Sequence, residues 1–264
     1  MPGPEKEGAA RAAFEDHYSK QAAVYARHRP RYPDALFAYL ASLAPGQDLA
    51  WDAGTGSGQA AVGLVAHFRR VWATDASPEQ IGHAPRVPGV AFLVAPSSAS
   101  GLDAASADLV TAAAAVHWFD LDPFFTEARR VLRPGGVLAV WTYFLLRITP
   151  AVDAVFAHYI DEVLAGYWPP RIDFAREGYR TLPFPFEELP APEVKVETDW
   201  LLEDLIGYMR TWSSTQAFRD ANGTEAVDLV RRRLERAWGD PDRVRRVDWP
   251  LSIRIGRVAG PEPR

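Results

Sequence analysis

The chain has 264 residues, a net charge of -5 and no cysteine, which excludes disulfides, thiolate metal sites and a cysteine nucleophile. Apolar residues make up 48% and aromatics 12%, enough for one large α/β core with a modest cap and too much for a disordered chain. No run approaches the ~18 consecutive apolar residues of a membrane span, and the opening "MPGPEKEGAARAAFEDHYSK" lacks the apolar core of a secretory signal. The expectation is a cytoplasmic protein with no membrane partner.

Residues 1–10, rich in Pro, Gly, Ala and charge, read as a mobile tail. Phe14, Tyr18, Ala22 and Tyr25 recur at helical spacing and predict a helix over 11–27. Pro30 and Pro33 break it by pushing their preceding residues out of the helical region, and Asp34 is placed to cap a helix over 35–43. From residue 48 the pattern alternates. "DLAWDA" predicts a buried strand and "GQAAVGLVAHF" a helix; "RVWATDA" predicts a second strand, with a short helix from Pro78. "VAFLVA" and "ADLVTAAAAV" predict a third and a fourth strand. Asp122 then reads as an N-cap before Pro123, opening a helix over 123–132, and "LRPGGVLAVWTYF" as a helix stop, a tight turn and a fifth strand. Strands alternating with helices imply a parallel sheet with right-handed crossovers and helices on both faces.

Beyond Tyr143 the pattern changes. A helix over 150–165 leads into "GYWPPRIDFAREGYRTLPFPFEELPAPE", a length of proline-rich, aromatic chain typical of lids and binding loops. "EVKVETDW" alternates as a strand, "LLEDLIGYMRTW" is helical, 224–238 is a further helix, and "VDWPLSIRIGRV" closes as one strand. Arg231, Arg232 and Arg233 form the densest basic run. Val227, Val230, Leu234 and Ala237 share the other side of that helix, so the run reads as a solvated face. The acidic balance offers phosphate no general attraction, and no nucleic-acid partner is expected. Six scattered histidines with no HExxH give no metal site.

The turn "DAGTGSGQ" at 52–59 carries the chemistry. A dinucleotide turn needs G-x-G-x-x-G, but Gln59 stands in the third glycine's place, and no Lys-Ser/Thr pair follows for a phosphate loop. Instead Asp52 ends the first strand and Asp75 the second. An acid at the position of Asp75 accepts hydrogen bonds from ribose hydroxyls, Gly54, Gly56 and Gly58 admit close backbone approach, and Asp52 is placed to face a cationic amino group. Two acids around a nucleoside without a phosphate clamp suit S-adenosylmethionine.

The blocks "DAGTGSGQ", "VWATDASPEQI", "ADLVTAAAAVHWFD" and "EARRVLRPGGVLAVWTY", in this order over 48–143, resemble the class I S-adenosylmethionine-dependent methyltransferases. With "YSKQAAVYARHRPRYP", "AVHWFD" and "LEDLIGYMRTWSS" the chain is most similar to the branch that includes trans-aconitate methyltransferase. The resemblance implies a Rossmann-like, seven-stranded, mostly parallel sheet with helices on both faces and a helical and loop cap over the active site. It implies one domain over 11–264: an N-terminal cover (11–45), a cofactor core (46–143), a cap insertion (144–192) and C-terminal strands and helices (193–264). The cofactor residues it implies are Asp52, Gly54, Thr55, Gly56, Gly58, Asp75, Ala76, Gln80, Ala114, His117 and Trp118. Ser97 and Ser98 occupy the place where relatives carry an acid for the adenine amino group, and a neutral acceptor there binds less strongly.

His117 follows the fourth strand, where ligands bind in open α/β sheets. It reads either as a general base or as a pocket wall. Tyr18 and Arg29 lie in the segment that the resemblance folds over the cofactor, and are candidates to hold an acceptor oxygen. Tyr25, Tyr143, Trp168, Tyr179 and Trp212 are candidate acceptor-pocket aromatics. The expected activity is O-methylation of a carboxylate, phenol or other hydroxyl of a small metabolite or natural product, by a monomer or homodimer. The alternative is a protein of this fold that binds the cofactor without methyl transfer, in a regulatory or ring-closing role.

Overall fold

The computed structural model describes residues 31–258. The expected tail, the helix over 11–27, and with them Tyr18, Tyr25 and Arg29, lie outside the described residues. The described chain forms two compact units, one of 31–144, 173–196 and 250–258, the other of 145–172 and 197–249.

The first unit holds the sheet. Asp34–Leu43 forms α1, and the short apolar runs that follow become strands because β-branched and aromatic side chains find cover on both faces. They are β1 (Leu49–Ala53), β2 (Arg70–Asp75), β3 (Val90–Val94), β4 (Ala107–Ala113) and β5 (Leu132–Thr142). All five run parallel, with α2 (Gln59–Leu64), α3 (Pro78–Gly82) and α4 (Leu121–Val131) in the connections. The spatial order is β3-β2-β1-β4-β5-β9-β6, where β6 is Glu187–Leu189 and β9 is Ser252–Arg257. β9 is antiparallel to both its neighbours. This is the seven-stranded, mostly parallel sheet that the sequence resemblance implies. The chain order reverses between β1 and β4, so the carboxyl ends of β1, β2 and β4 open the crevice where such sheets bind ligands.

The opposite end of the same strands is tied by Asp108. Its fully buried carboxylate accepts the amides of Asp48 and Leu49 at 2.9 and 3.0 Å, and pairs with Arg133 Nη1 at 2.8 Å. One side chain on β4 thus fixes where β1 begins and how the start of β5 lies.

The second unit contains α5 (Pro150–His158), α7 (Leu202–Arg210), α8 (Ser213–Asn222), α9 (Asp228–Trp238) and a two-stranded sheet of β7 (Lys195–Trp200) and β8 (Arg245–Pro250); a short α6 (Ile172–Arg176) stands at the chain crossing between units. Phe156, Tyr159, Trp200, Tyr208, Trp212 and Trp249 form its aromatic core, with ring centroids 4.8 to 6.1 Å apart. On α9, Val227, Val230 and Leu234 are buried and Arg232 and Arg233 exposed, while Arg231 meets Glu203 and Glu235. The basic run is a solvated face, with Trp238 rather than Ala237 completing the buried stripe.

Several boundaries differ from the sequence expectation. The last expected strand is two, β8 and β9, in different sheets: Pro250 ends β8 because it has no N–H to extend a ladder. α4 begins at Leu121 with Asp120 at the N-cap, and Asp122 with Pro123 lies inside the first turn, where missing amide partners are tolerated. The expected helix over 150–165 changes to a π turn over Tyr159–Val163, and α8 and β6 carry no signal that was read from the sequence. Among the described residues no helix is long and apolar enough to cross a membrane, and no cluster of His, Cys, Asp and Glu could hold a metal.

Removing the Asp108 carboxylate strands the buried amide of Leu49 and the part-buried amide of Asp48, and takes from Arg133 its shortest ion pair. Asp108→Ala is expected to lower stability by about 2–4 kcal/mol, with Asp108→Asn retaining part of the loss, as read by urea denaturation.

Candidate active site

The site starts where β1 ends. β1 is buried throughout and pairs on one side with β2 and on the other with β4, in a register that sets Asp52 opposite Ala73 and Thr111. The Asp52 carboxylate is shut off from solvent: Thr55 Oγ1 donates to one oxygen at 2.6 Å and Thr111 Oγ1 to the other at 2.7 Å. Burial dominates these bonds and pushes the carboxyl up to about 6. Among the described residues no cation pairs with it. A ligand cation beside it would therefore meet a carboxylate that lacks a counter-charge.

The turn that follows is left-handed at three points, with φ of +64° at Gly54, +56° at Gly56 and +94° at Gly58, a conformation that side chains disfavour. Packing adds a second constraint at two of them. A Cβ on Gly54 would fall 2.7 Å from the Phe119 ring, and one on Gly58 2.7 Å from the Phe92 ring. Over Gly56 the nearest atom is Gln80 Oε1 at 3.8 Å, so that backbone face is open. Thr55 N donates to Thr74 O at 2.9 Å and ties the turn to β2.

Asp75 ends β2. Its Oδ2 accepts the Gly56 amide at 2.8 Å and its Oδ1 the Ser77 amide at 2.9 Å. Burial raises its pKa against these two bonds. Each oxygen keeps lone-pair capacity beyond the one amide it takes, as a ribose diol requires. Ser77 also caps α3, accepting from Gln80 N at 3.2 Å, and Gln80 is buried at the Gly56 surface while Ala76 is exposed.

The loop after β3 carries Ser97, half-buried, and Ser98, exposed. It is pinned by Ser100, whose amide and hydroxyl both donate to Glu127 Oε1 at 2.8 and 2.5 Å, and whose carbonyl accepts Trp72 Nε1 at 2.8 Å. Arg130 beside Glu127 draws its carboxyl down to about 2. The sequence reading passed over this anchor, although an acid on the α4 stripe that also buries Phe124, Phe125, Ala128 and Val131 was the available signal. It also passed over Thr111, the one hydroxyl in the apolar run of β4.

Beyond β4, Ala114 holds a φ of +51° with its amide on Trp141 O at 2.7 Å, a strained residue just past the carboxyl end of the strand. A short 3₁₀ turn, Val116–Trp118, buries His117 and sets its ring 5.1 Å from that of Trp118. His117 Nδ1 lies 2.8 Å from Tyr179 Oη. Tyr143 is buried in the same unit. In the other unit, Trp168 and Trp212 come together at 5.5 Å; the Trp168 indole donates to Ile160 O at 3.0 Å, and Trp212 belongs to the aromatic core.

Residues 51–140 match the methyltransferase-domain family. A Dictyostelium discoideum protein, provisionally named a methyltransferase, is 31% identical over 233 residues, 87% of this chain and 89% of that protein. The chain belongs to the class I S-adenosylmethionine-dependent methyltransferases. It is also similar to a solved structure from Anaeromyxobacter dehalogenans, provisionally named a type II methyltransferase, with 47% identity, a TM-score of 0.81 and coverage of 88% of this chain and 99% of that one. A Mycobacterium tuberculosis protein named an uncharacterized methyltransferase is 36% identical over 120 residues, 45% of this chain and about half (49%) of its own length. S-adenosylmethionine is the methyltransferase's cofactor. The residues at the β1 and β2 ends fit it: a buried acid without a counter-charge among the described residues, an open backbone face at Gly56, and a second acid with lone pairs to spare.

If Asp75 holds the ribose, Asp75→Ala weakens S-adenosylmethionine binding by about 1.5–3 kcal/mol through loss of hydrogen bonds to a charged acceptor. Isothermal titration reads the change, and unaltered affinity would remove the ribose role.

Proposed function

We propose that this methyltransferase methylates an oxygen of a small organic acceptor, a carboxylate or a phenolic or other hydroxyl group of a metabolite or natural product. The observation that carries the reading is the cradle of Asp52, the Gly54–Gly58 turn and Asp75, which suits a cationic adenosine rather than a dinucleotide. When bound, the cofactor supplies a methyl group already activated by its sulfonium. The protein's own task is then chiefly alignment, which supplies several kcal/mol of rate enhancement. Asp52 balances positive charge, Asp75 takes the ribose hydroxyls, and Gly54, Thr55, Gly56, Gly58, Ala76, Gln80, Ser97, Ser98, Ala114 and Trp118 complete the cofactor contacts.

His117 and Tyr143 are the candidates for acceptor contact in the sheet-bearing unit. Tyr18, Tyr25, Arg29, Trp168 and Trp212 complete the candidate set. A carboxylate acceptor needs donors to hold it and no base. The proline- and aromatic-rich stretch near 166–190 supports an acceptor with apolar area. The solvated arginines of α9 and the acidic net charge support a small molecule over nucleic acid, with a cytoplasmic monomer or homodimer as the working form.

Two measurements test this. Incubation with S-adenosylmethionine and a panel of carboxylic acids and phenols is expected to release S-adenosylhomocysteine with at least one acceptor; binding without turnover across the panel counts against O-methylation of such acceptors. The second uses Asp52. Burial pushes its carboxyl up to about 6 from its ordinary 3.8, so stability falls as pH rises through that window. A bound cation favours the ionised form, so binding releases a proton below about pH 6. Affinity for S-adenosylmethionine is expected to rise about tenfold from pH 5 to pH 7 and then level. Asp52→Asn should bind less tightly with a flat profile, and a wild-type profile without slope would detach Asp52 from the cation.

A further inference from the structure

Tyr179 lies in the proline-rich stretch expected to be a lid, yet it is fully buried in the sheet-bearing unit. It holds a φ of +62°, directly after Gly178 at +61°, and a bulky residue rarely adopts that conformation unless its surroundings enforce it. Those surroundings come from β9. A Cβ on Gly178 would fall 2.4 Å from Ser252 Oγ, so the chain presses against the strand there. Arg254 donates to the carbonyls of Tyr179 and Leu182 at 3.0 and 2.6 Å, pairs with Glu188, and lies 4.6 Å over the Phe184 ring. The backbone is clamped on both sides of the strained residue, and the ring is driven inward to His117.

The hydroxyl it delivers has three neighbours: the His117 amide, the Thr142 hydroxyl and, at 2.8 Å, His117 Nδ1. Burial holds the phenol well above its ordinary range, so it keeps its proton throughout the working pH range. The amide can only donate, so the phenol proton has two neighbours to choose between, the Thr142 hydroxyl and Nδ1. An imidazole nitrogen is a stronger hydrogen-bond acceptor than an alcohol oxygen, and it lies 2.8 Å from Oη, so the phenol proton goes to Nδ1. A ring nitrogen that accepts a hydrogen bond carries no proton, so in the neutral imidazole the proton sits on Nε2.

We propose that Tyr179 is a positioning residue that fixes His117 as a hydrogen-bond donor through Nε2. This deepens the proposed function and rests on the β4 edge being the reacting end. A histidine held this way steadies an acceptor oxygen that arrives already anionic, instead of taking a proton from one that does not. On this proposal His117 is the wall of the two sequence readings, with a polar tip.

The test reads the tautomer directly. Two-bond proton–nitrogen spectra of the full chain with 15N-labelled histidine, assigned by the signal lost in His117→Gln, should show neutral His117 protonated on Nε2. Tyr179→Phe keeps the ring and removes the hydroxyl, and the Nδ1–H population of His117 should rise about threefold to tenfold, the range of one neutral hydrogen bond. Thr142→Val removes the hydroxyl beside Oη without touching the His117 contact and should leave the wild-type tautomer. A wild-type His117 protonated on Nδ1 overturns the proposal, whether or not the phenylalanine variant folds. So does a folded Tyr179→Phe protein with an unchanged ratio, or a tautomer reversed by Thr142→Val. Titration of each sample with S-adenosylhomocysteine keeps the two readings apart: a wild type that fails to bind it refutes the cofactor site while the tautomer result stands on its own.

Discussion

A carboxylate taken out of water has to be held, and Asp52 is held by two hydroxyls from different elements, Thr55 in the glycine turn and Thr111 on β4. The arrangement works only if β1 lies between β2 and β4 with Asp52 opposite Thr111, which is the register the parallel sheet supplies. Hydroxyl donors are neutral: they satisfy the oxygens as hydrogen-bond acceptors without cancelling the charge. Burial outweighs these bonds and raises the carboxyl to about 6, still ionised at neutral pH but stabilised further by any cation that comes near. Neutral donors therefore leave the charge available to a ligand, where an arginine would have consumed it.

The second acid is handled differently. Asp75 is held by two backbone amides, one of them from Gly56 in the turn. That bond makes the turn and the end of β2 a single body, so the distance from the open face at Gly56 to the Asp75 carboxylate is set by backbone geometry and not by a mobile side chain. Left-handed φ at Gly54, Gly56 and Gly58 is what brings the Gly56 amide round to Asp75. The same turn presses Gly54 against Phe119 and Gly58 against Phe92, which links the site to the packing of the β3 and β4 connections. Loss of either contact would be felt at the Gly56–Asp75 bond, because interiors packed this densely transmit small displacements.

How much of this was legible in the sequence follows from the range of the forces involved. The alternation of short apolar runs with helical stretches is local, and β1 to β5 were readable from it. The acids at the strand ends were readable too, because a charged residue closing an apolar run has few structural reasons to be there. What was not readable depends on partners distant in the chain. Asp52 gains its character from Thr111, 59 residues away, and Ser100 from Glu127, 27 residues away. β6 is three residues long between prolines and exists only because β9 pairs with it, and β9 was hidden inside a run that looked like one strand until Pro250 split it between two sheets.

The same reasoning explains why the stretch with the weakest sequence pattern has the most specific structure. Prolines at 183, 185 and 190 and the aromatics between them carry no periodicity, so nothing local indicates where the chain goes. Its course is dictated by side chains of other elements: Arg254 on β9 clamps Tyr179 and Leu182, and Arg129 on α4 reaches Pro185 and lies 5.0 Å over the Phe186 ring. A guanidinium that caps carbonyls and covers an aromatic face at once suits chain that has few backbone donors of its own. The carbonyls of a proline-rich segment are left over when it cannot form a ladder, and arginines from the regular elements take them up. That is how a stretch with no secondary-structure signal comes to place a strained tyrosine against a histidine just past the carboxyl end of β4.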